Sequence, residues 1–73
     1  MIENGLYEHF KGKRYQVLGT CRHSETCEVL VLYKALYGDY DLWVRPLDMF
    51  NETVIHNNQS IPRFRFISKT IID

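Results

Sequence analysis

The segment Glu28 to Tyr37 constrains this chain more than any other. Val29, Val31, Tyr33 and Ala35 alternate with Leu30, Leu32 and Leu36, so an extended strand here is apolar on both faces, and only Lys34 breaks the pattern. Such a strand belongs inside a sheet, with the core on one side and a cover on the other. That cover is either the C-terminal segment or a second subunit. The chain has 73 residues, enough for one domain over 1–73. A domain of this size buries only roughly 60% of the surface its unfolded chain exposes. It has one thin core and little left to wall a deep catalytic pocket.

Charge narrows the function class. The 9 Lys and Arg residues balance 9 Asp and Glu residues. A dedicated DNA binder is usually strongly basic, so the balance argues against one. An apolar share of 45% is too high for a disordered chain. Met1 to Phe10 has neither the basic nor the apolar region of a signal peptide. The longest apolar run, Val29 to Tyr33, is far short of the ~20 residues of a membrane helix. A cytoplasmic protein with no membrane partner is expected. Cys21 and Cys27 are too few for a secreted disulfide scaffold and read as two reduced thiols.

Short runs rich in Val, Leu, Tyr and Phe, punctuated by glycines and prolines, predict several short strands. Leu6 to Phe10 is the first, with a turn at Lys11-Gly12-Lys13. Arg14 to His23 is the second. Its odd positions, Tyr15 to His23, are assigned to the core, and Gly19 is expected to mark a bend or bulge. Ser24 to Cys27 makes a hairpin turn to the third strand. Gly38 to Asp41 is a loop, and Leu42 to Arg45 a fourth strand with Leu42 and Val44 inward. Pro46 to Phe50 can make one helical or 3₁₀ turn. Glu52 to His56 and Ile61 to Ile67 flank Asn57 to Ser60 as a C-terminal hairpin (about 52–67). Ser68 to Asp73 has no evident anchor and is expected to fray. The fold class is all-β: a small, strongly bent antiparallel barrel with one short helical or 3₁₀ turn.

Several strings resemble a bacterial family called domain of unknown function 1653. They are His9-Phe10-Lys11-Gly12, Tyr15-Gln16-Val17-Leu18, Arg22-His23-Ser24-Glu25-Thr26, Tyr33-Lys34-Ala35-Leu36-Tyr37-Gly38, Trp43-Val44-Arg45-Pro46-Leu47-Asp48-Met49-Phe50 and Pro62-Arg63-Phe64. The resemblance runs from Leu6 to about Phe66. It implies an SH3-like small barrel in a bacterial cytosolic protein, and it implies no activity. Cys27 stands where the family usually has Gly, so it must either accept φ > 0 or reshape the turn. It is expected at an exposed tip, as the more reactive of the two thiols. Ala35-Leu36-Tyr37-Gly38-Asp39-Tyr40 also resembles the A-L-Y-D-Y segment of eukaryotic SH3 domains. That segment opens those domains, whereas here it falls at mid-chain with a glycine breaking its spacing. A proline-binding SH3 surface is therefore not expected.

Four constellations bear on function. His23-Ser24-Glu25 places a base, a nucleophile and an acid side by side, but neighbours in a strand or tight turn point apart, and triad members normally come from separate segments. Turn hydroxyls satisfying backbone groups explain the string better, and an enzyme using His23 with Ser24 or Cys21 is the weakest reading. His9, His23 and His56 with the two cysteines show no metal half-site, so neither a metal nor another cofactor is expected. Arg63-Phe64-Arg65-Phe66 alternates cations and rings, one recipe for single-stranded nucleic acid. Alternation sends them to opposite faces, however, so an amphipathic edge strand is favoured over a nucleic-acid surface through Arg63 and Arg65.

The fourth is the aromatic set around Trp43. Tyr, Trp and Arg are the residues that interfaces over-use. With Leu42 and Val44 inward, Trp43 and Arg45 face outward beside the Gly38–Asp41 loop. In the competing reading Trp43 closes one end of the thin core. The sequence therefore predicts a binding or protein-interaction module with Tyr37, Tyr40, Trp43, Arg45 and Asp48 as its surface. Arg45 would meet an acidic or carbonyl group on a protein or small-ligand partner. The two-faced third strand adds the expectation of a homodimer.

Overall fold

The turn residues decide where this chain reverses. In the computed structural model, which describes residues 2–70, strand β1 (Gly5–His9) turns into β2 (Arg14–Arg22) through a bend in which the Gly12 N–H reaches the His9 carbonyl at 2.7 Å. A second hairpin leads to β3 (Val29–Ala35), and a loop leads to β4 (Leu42–Pro46). The chain then makes one helical turn, α1 (Leu47–Phe50), a small hairpin of β5 (Thr53–His56) and β6 (Gln59–Pro62), and a last strand, β7 (Phe64–Ser68). All strand pairs are antiparallel.

The main sheet has the order β4-β3-β2-β1-β7, and β5-β6 forms a separate two-stranded sheet. The doubly apolar strand β3 is interior, as its composition demands. The expected barrel does not close. Among the described residues β4 and β7 remain the two edges, so the sheet is strongly bent rather than circular.

The C-terminal hairpin differs from expectation. Asn57 and Asn58 both take positive φ, 52° and 64°, as a two-residue type I′ turn requires. That turn pairs His56 with Gln59, so the second arm starts two residues earlier than the sequence suggested. This arm ends at Pro62, which has no N–H to carry the ladder on. Arg63 then acts as a joint: its N–H reaches the Glu52 carbonyl at 2.9 Å, and its carbonyl takes the Phe10 N–H at 3.0 Å. The following residues pair with β1 instead, placing Phe64 opposite His9 and Phe66 opposite Tyr7. The tail expected to fray begins at Ser68, where β7 ends, and its residues 71–73 lie outside the described residues.

A bulge corrects the reading of β2. The register with β3 shifts between Val17 and Gly19, leaving Leu18 out of the pairing. Before the bulge, Tyr15 and Val17 turn to the core side as expected. Beyond it the alternation is reversed: Cys21 pairs with Leu30, while Thr20 pairs with the fully buried Val31. The odd positions of β2 therefore do not share one face along its whole length.

The core is mostly aromatic. Tyr7, Val17, Val31, Tyr33, Phe50 and Phe64 form one buried cluster, with Ile2, Tyr15 and Leu47 packed against it. Val31, Val17 and Phe50 are the most completely buried, at 0%, 1% and 1% exposure. Burying each such side chain stabilises the fold by roughly 1.5–3 kcal/mol. The ring of Tyr33 meets those of Phe50 and Phe64 edge-on at 5.5 and 5.6 Å, a geometry the ring quadrupoles favour.

Candidate binding cleft on the inner face of the sheet

Register decides what gathers at the open end of the sheet. Across β2, β3 and β4, Val17, Tyr33 and Trp43 lie in one row. Tyr15 and Ala35 share the next row, and Val31 and Arg45 the row on the other side. Directly opposed residues of an antiparallel pair point to the same face. Trp43 and Arg45 therefore share the face of Tyr33 and Val31, which is the core side. Leu42 and Val44 point the other way and are 60% and 52% exposed. This reverses the assignment made from β4 alone. The strand's own alternation could not say which side was covered, and pairing with β3 settles it.

Trp43 is nonetheless 52% exposed, because β4 is the outermost strand and its inner face extends past the core. Trp43, Arg45, Tyr15, Tyr33 and Tyr37 line a shallow cleft of about 210 Å³. Pockets for whole small molecules run to roughly 300–1,000 Å³, so this one suits a side chain or a chain end.

The cleft is bound together by hydroxyls and one cation. The Tyr15 and Tyr37 hydroxyls hydrogen-bond at 2.5 Å. Arg45 Nε donates to the Tyr33 hydroxyl at 3.4 Å, and its guanidinium carbon lies 5.6 Å from the Phe64 ring centroid. Burial pushes the Tyr15 phenol far above the usual tyrosine range, helped by the Tyr37 hydroxyl and the nearby Tyr33, while Arg45 opposes them. Tyr15 thus stays protonated at neutral pH and serves the cleft as a neutral donor and acceptor. Lys13 Nζ sits 4.9 Å over the Tyr37 ring at the rim.

Arg45 differs from the other arginines near the core. Arg14 and Arg65 both meet Glu8, at 3.3 and 3.4 Å, and Arg63 meets Glu52 at 3.2 Å. Among the described residues Arg45 makes no ion pair. The half-buried guanidinium beside aromatic rings leaves a positive site without its own counter-charge.

Three of the five predicted surface residues, Tyr37, Trp43 and Arg45, come together here. Tyr40 does not join them: its ring lies 5.7 Å from Lys34 Nζ, and Lys34 pairs with Leu42 on the outer face. Asp48 lines a separate cleft with Glu28, Val29, Pro46 and Leu47. Tyr15 was missed because the sequence assigned it to the core face of its strand, whereas Tyr33 belonged to the aromatic set around Trp43 but was not placed on the predicted surface. Their place beside Trp43 depends on the register of three strands, which no local pattern encodes.

His23, Ser24 and Cys27 lie in and beside the turn between β2 and β3. His23 Nδ1 accepts the backbone N–H groups of Glu25 and Thr26, at 3.1 and 3.4 Å, so the imidazole caps its turn. Among the described residues it makes no hydrogen bond to Ser24. Thr26 Oγ1 accepts the Glu28 N–H at 3.2 Å. Cys27 adopts φ 62° and is exposed, so the turn keeps its shape and the side chain bears the strain. Cys21 and Cys27 are both free thiols. No cluster of three or more metal-ligating side chains, and no helix long and apolar enough to cross a membrane, occurs among the described residues.

Comparison with known proteins places the chain. A family described as a protein of unknown function (DUF1653) matches residues 5–66. The chain is also similar to a protein belonging to DUF1653 from Bordetella bronchiseptica, known from its crystal structure. The two share 35% identity and a TM-score of 0.88, over 99% of this chain and 95% of that one. No curated protein matches. The chain belongs to the DUF1653 family, as its motifs suggested.

Proposed function

We propose that this domain is a protein-interaction module whose recognition site is the cleft of Tyr15, Tyr33, Tyr37, Trp43 and Arg45. The observation that carries the reading is Arg45, a half-buried cation with ring contacts and no ion pair of its own. A carboxylate or carbonyl on a partner would complete it, and the Trp43 and Tyr37 rings would supply apolar contact area. The small volume supports a protruding side chain or chain end as the group received. The two free thiols and the bacterial source of the similar protein support a place in a reducing bacterial cytosol. The bent meander with a helical turn before its last strand supports reading the fold as an open SH3-like barrel.

The test is affinity capture with the wild-type domain and with a Trp43→Ala/Arg45→Ala variant. Both side chains are partly exposed, so the variant should keep its circular dichroism spectrum. Partners recovered by the wild type and lost with the variant support the reading. Equal recovery by a folded variant rejects it.

A further inference from the structure

The edge strand β4 is unusually bare. Proteins blunt exposed edges with lysines, bulges or covering loops. Here Leu42, Trp43 and Val44 stand in succession, 60%, 52% and 52% exposed, with no bulge in their pairing to β3. The phase of the ladder follows from one bond. The Ala35 N–H reaches the Asp41 carbonyl at 2.9 Å, so Asp41, Trp43 and Arg45 turn their backbone groups toward β3. Leu42 and Val44 turn theirs to the open edge.

We infer that β4 pairs antiparallel with β4 of a second copy of this chain, about a two-fold axis at Trp43. This deepens the interaction-module reading and rests on it, because it names the partner of Arg45. In this register Leu42 of each copy faces Val44 of the other, and each pair exchanges both backbone hydrogen bonds. Every outward N–H and C=O of the two residues is thereby satisfied. Pro46 lies just beyond the paired segment, where its missing N–H is not needed.

The side chains agree with the backbone. On the inner face the two Trp43 rings meet at the axis, in the closely spaced type of cross-strand pair that aromatics favour. Flanking them, Arg45 of each copy faces Asp41 of the other. Among the described residues Asp41, like Arg45, makes no ion pair within the chain. The unmatched cation and an unmatched anion thus sit two residues either side of the axis, the spacing a two-fold interface needs for reciprocal pairs. On the outer face the Leu42–Val44 pairs are apolar throughout. They continue the exposed Leu18 and half-buried Leu32 of the same sheet face. The second copy also supplies the partner subunit that the two-faced β3 called for, though it joins the sheet at its edge instead of covering its face.

The test is sedimentation equilibrium of the purified domain alone, from micromolar to near-millimolar concentration. The wild type is expected to move from 8.7 kDa toward twice that mass. Emission from its single tryptophan should shift to the red on dilution, as Trp43 leaves the axis. Asp41→Arg and Arg45→Asp each set like charges opposite each other twice, and each should raise the dissociation constant by about tenfold or more. The double variant restores opposite charges and should restore the dimer. Val44→Pro removes an outward N–H that β3 does not use, so it should abolish the dimer while leaving the fold intact. A wild type monomeric throughout overturns the inference, as does a dimer indifferent to Val44→Pro or a charge swap that fails to rescue. These readouts use no other protein, so their failure is separate from failed capture by the Trp43/Arg45 cleft. A restored Asp41→Arg/Arg45→Asp dimer that no longer captures other partners would show both roles of Arg45 at once.

Discussion

The rings of Phe50 and Phe64 lie face to face, with centroids 4.1 Å apart and planes within 3° of parallel. This contact accounts for the short helix α1. That helix has four residues and no side-chain N-cap bond, so it has little stability of its own. Its contribution is to carry Phe50 from the end of β4 into the centre of the bent sheet, against Phe64 at the start of β7. Phe50→Ala should cost about 3–5 kcal/mol. A domain of this length has only about 4–11 kcal/mol in total. Thermal melting followed by circular dichroism should show the variant largely unfolded or melting far below the wild type. A melting point close to wild type would mean that the stack is not central.

Cys27 holds a left-handed backbone conformation that costs an L-residue roughly 1–2 kcal/mol. Its main-chain bonds do not depend on the thiol: its N–H reaches the His23 carbonyl at 2.9 Å, and its carbonyl accepts from Arg22 at 2.9 Å. Cys27→Gly should keep both and relieve the strain. The greater freedom of glycine in the unfolded chain returns part of the gain. A net stabilisation of about 0.5–1 kcal/mol remains, raising the melting temperature by a few degrees. A lower melting temperature would show that the thiol makes a contact worth more than the strain.

Gly5 presents the opposite case. Its φ is +140°, and a Cβ there would run into the Ser68 carbonyl oxygen and approach Lys69 Cα to 3.0 Å. Both obstacles are backbone of β7 and its continuation, next to the register shift between Leu6 and Tyr7. Gly5→Ala should therefore destabilise by about 2 kcal/mol or more, with a melting temperature roughly 10 °C lower. Native-like melting would imply that β7 can move away at no cost.

How much of this was legible in the sequence varies with the range of the interaction. The β1–β2 and β2–β3 turns, the interior position of β3 and the bulge beside Gly19 follow from local residue types. The facing of β4 does not, because Leu42 and Val44 are as apolar as a core strand, and only pairing with Tyr33 and Val31 turns Trp43 inward. The split at Arg63 also escaped local reading: Phe64 to Ser68 alternates like the rest of a hairpin arm, and its capture by β1 is a long-range choice. The cleft was legible in part for the same reason. Tyr37, Trp43 and Arg45 are close in sequence, whereas Tyr15 arrives from β2. Tyr40 and Asp48 are equally close in sequence but are turned elsewhere by the loop and by α1.

His9 should make stability fall on mild acidification. Its ring packs against Phe10 and Phe64, with centroids 4.5 and 5.0 Å away, and its Nδ1 accepts the Lys11 N–H at 3.2 Å. Burial, followed by the positive charges of Arg45, Arg63 and Lys11, holds its pKa below the ordinary histidine value. The unfolded chain regains a value of about 6.5 and so binds a proton that the folded chain resists. Stability from this group is then complete above about pH 6.5 and is lost as the pH falls through that value toward the folded one. Between about pH 7 and about pH 5 the wild-type melting temperature should drop more than that of His9→Gln, which has no proton to take up. Parallel curves for the two proteins would show that protonated His9 is accommodated, and that the cations around it do not act on its ring.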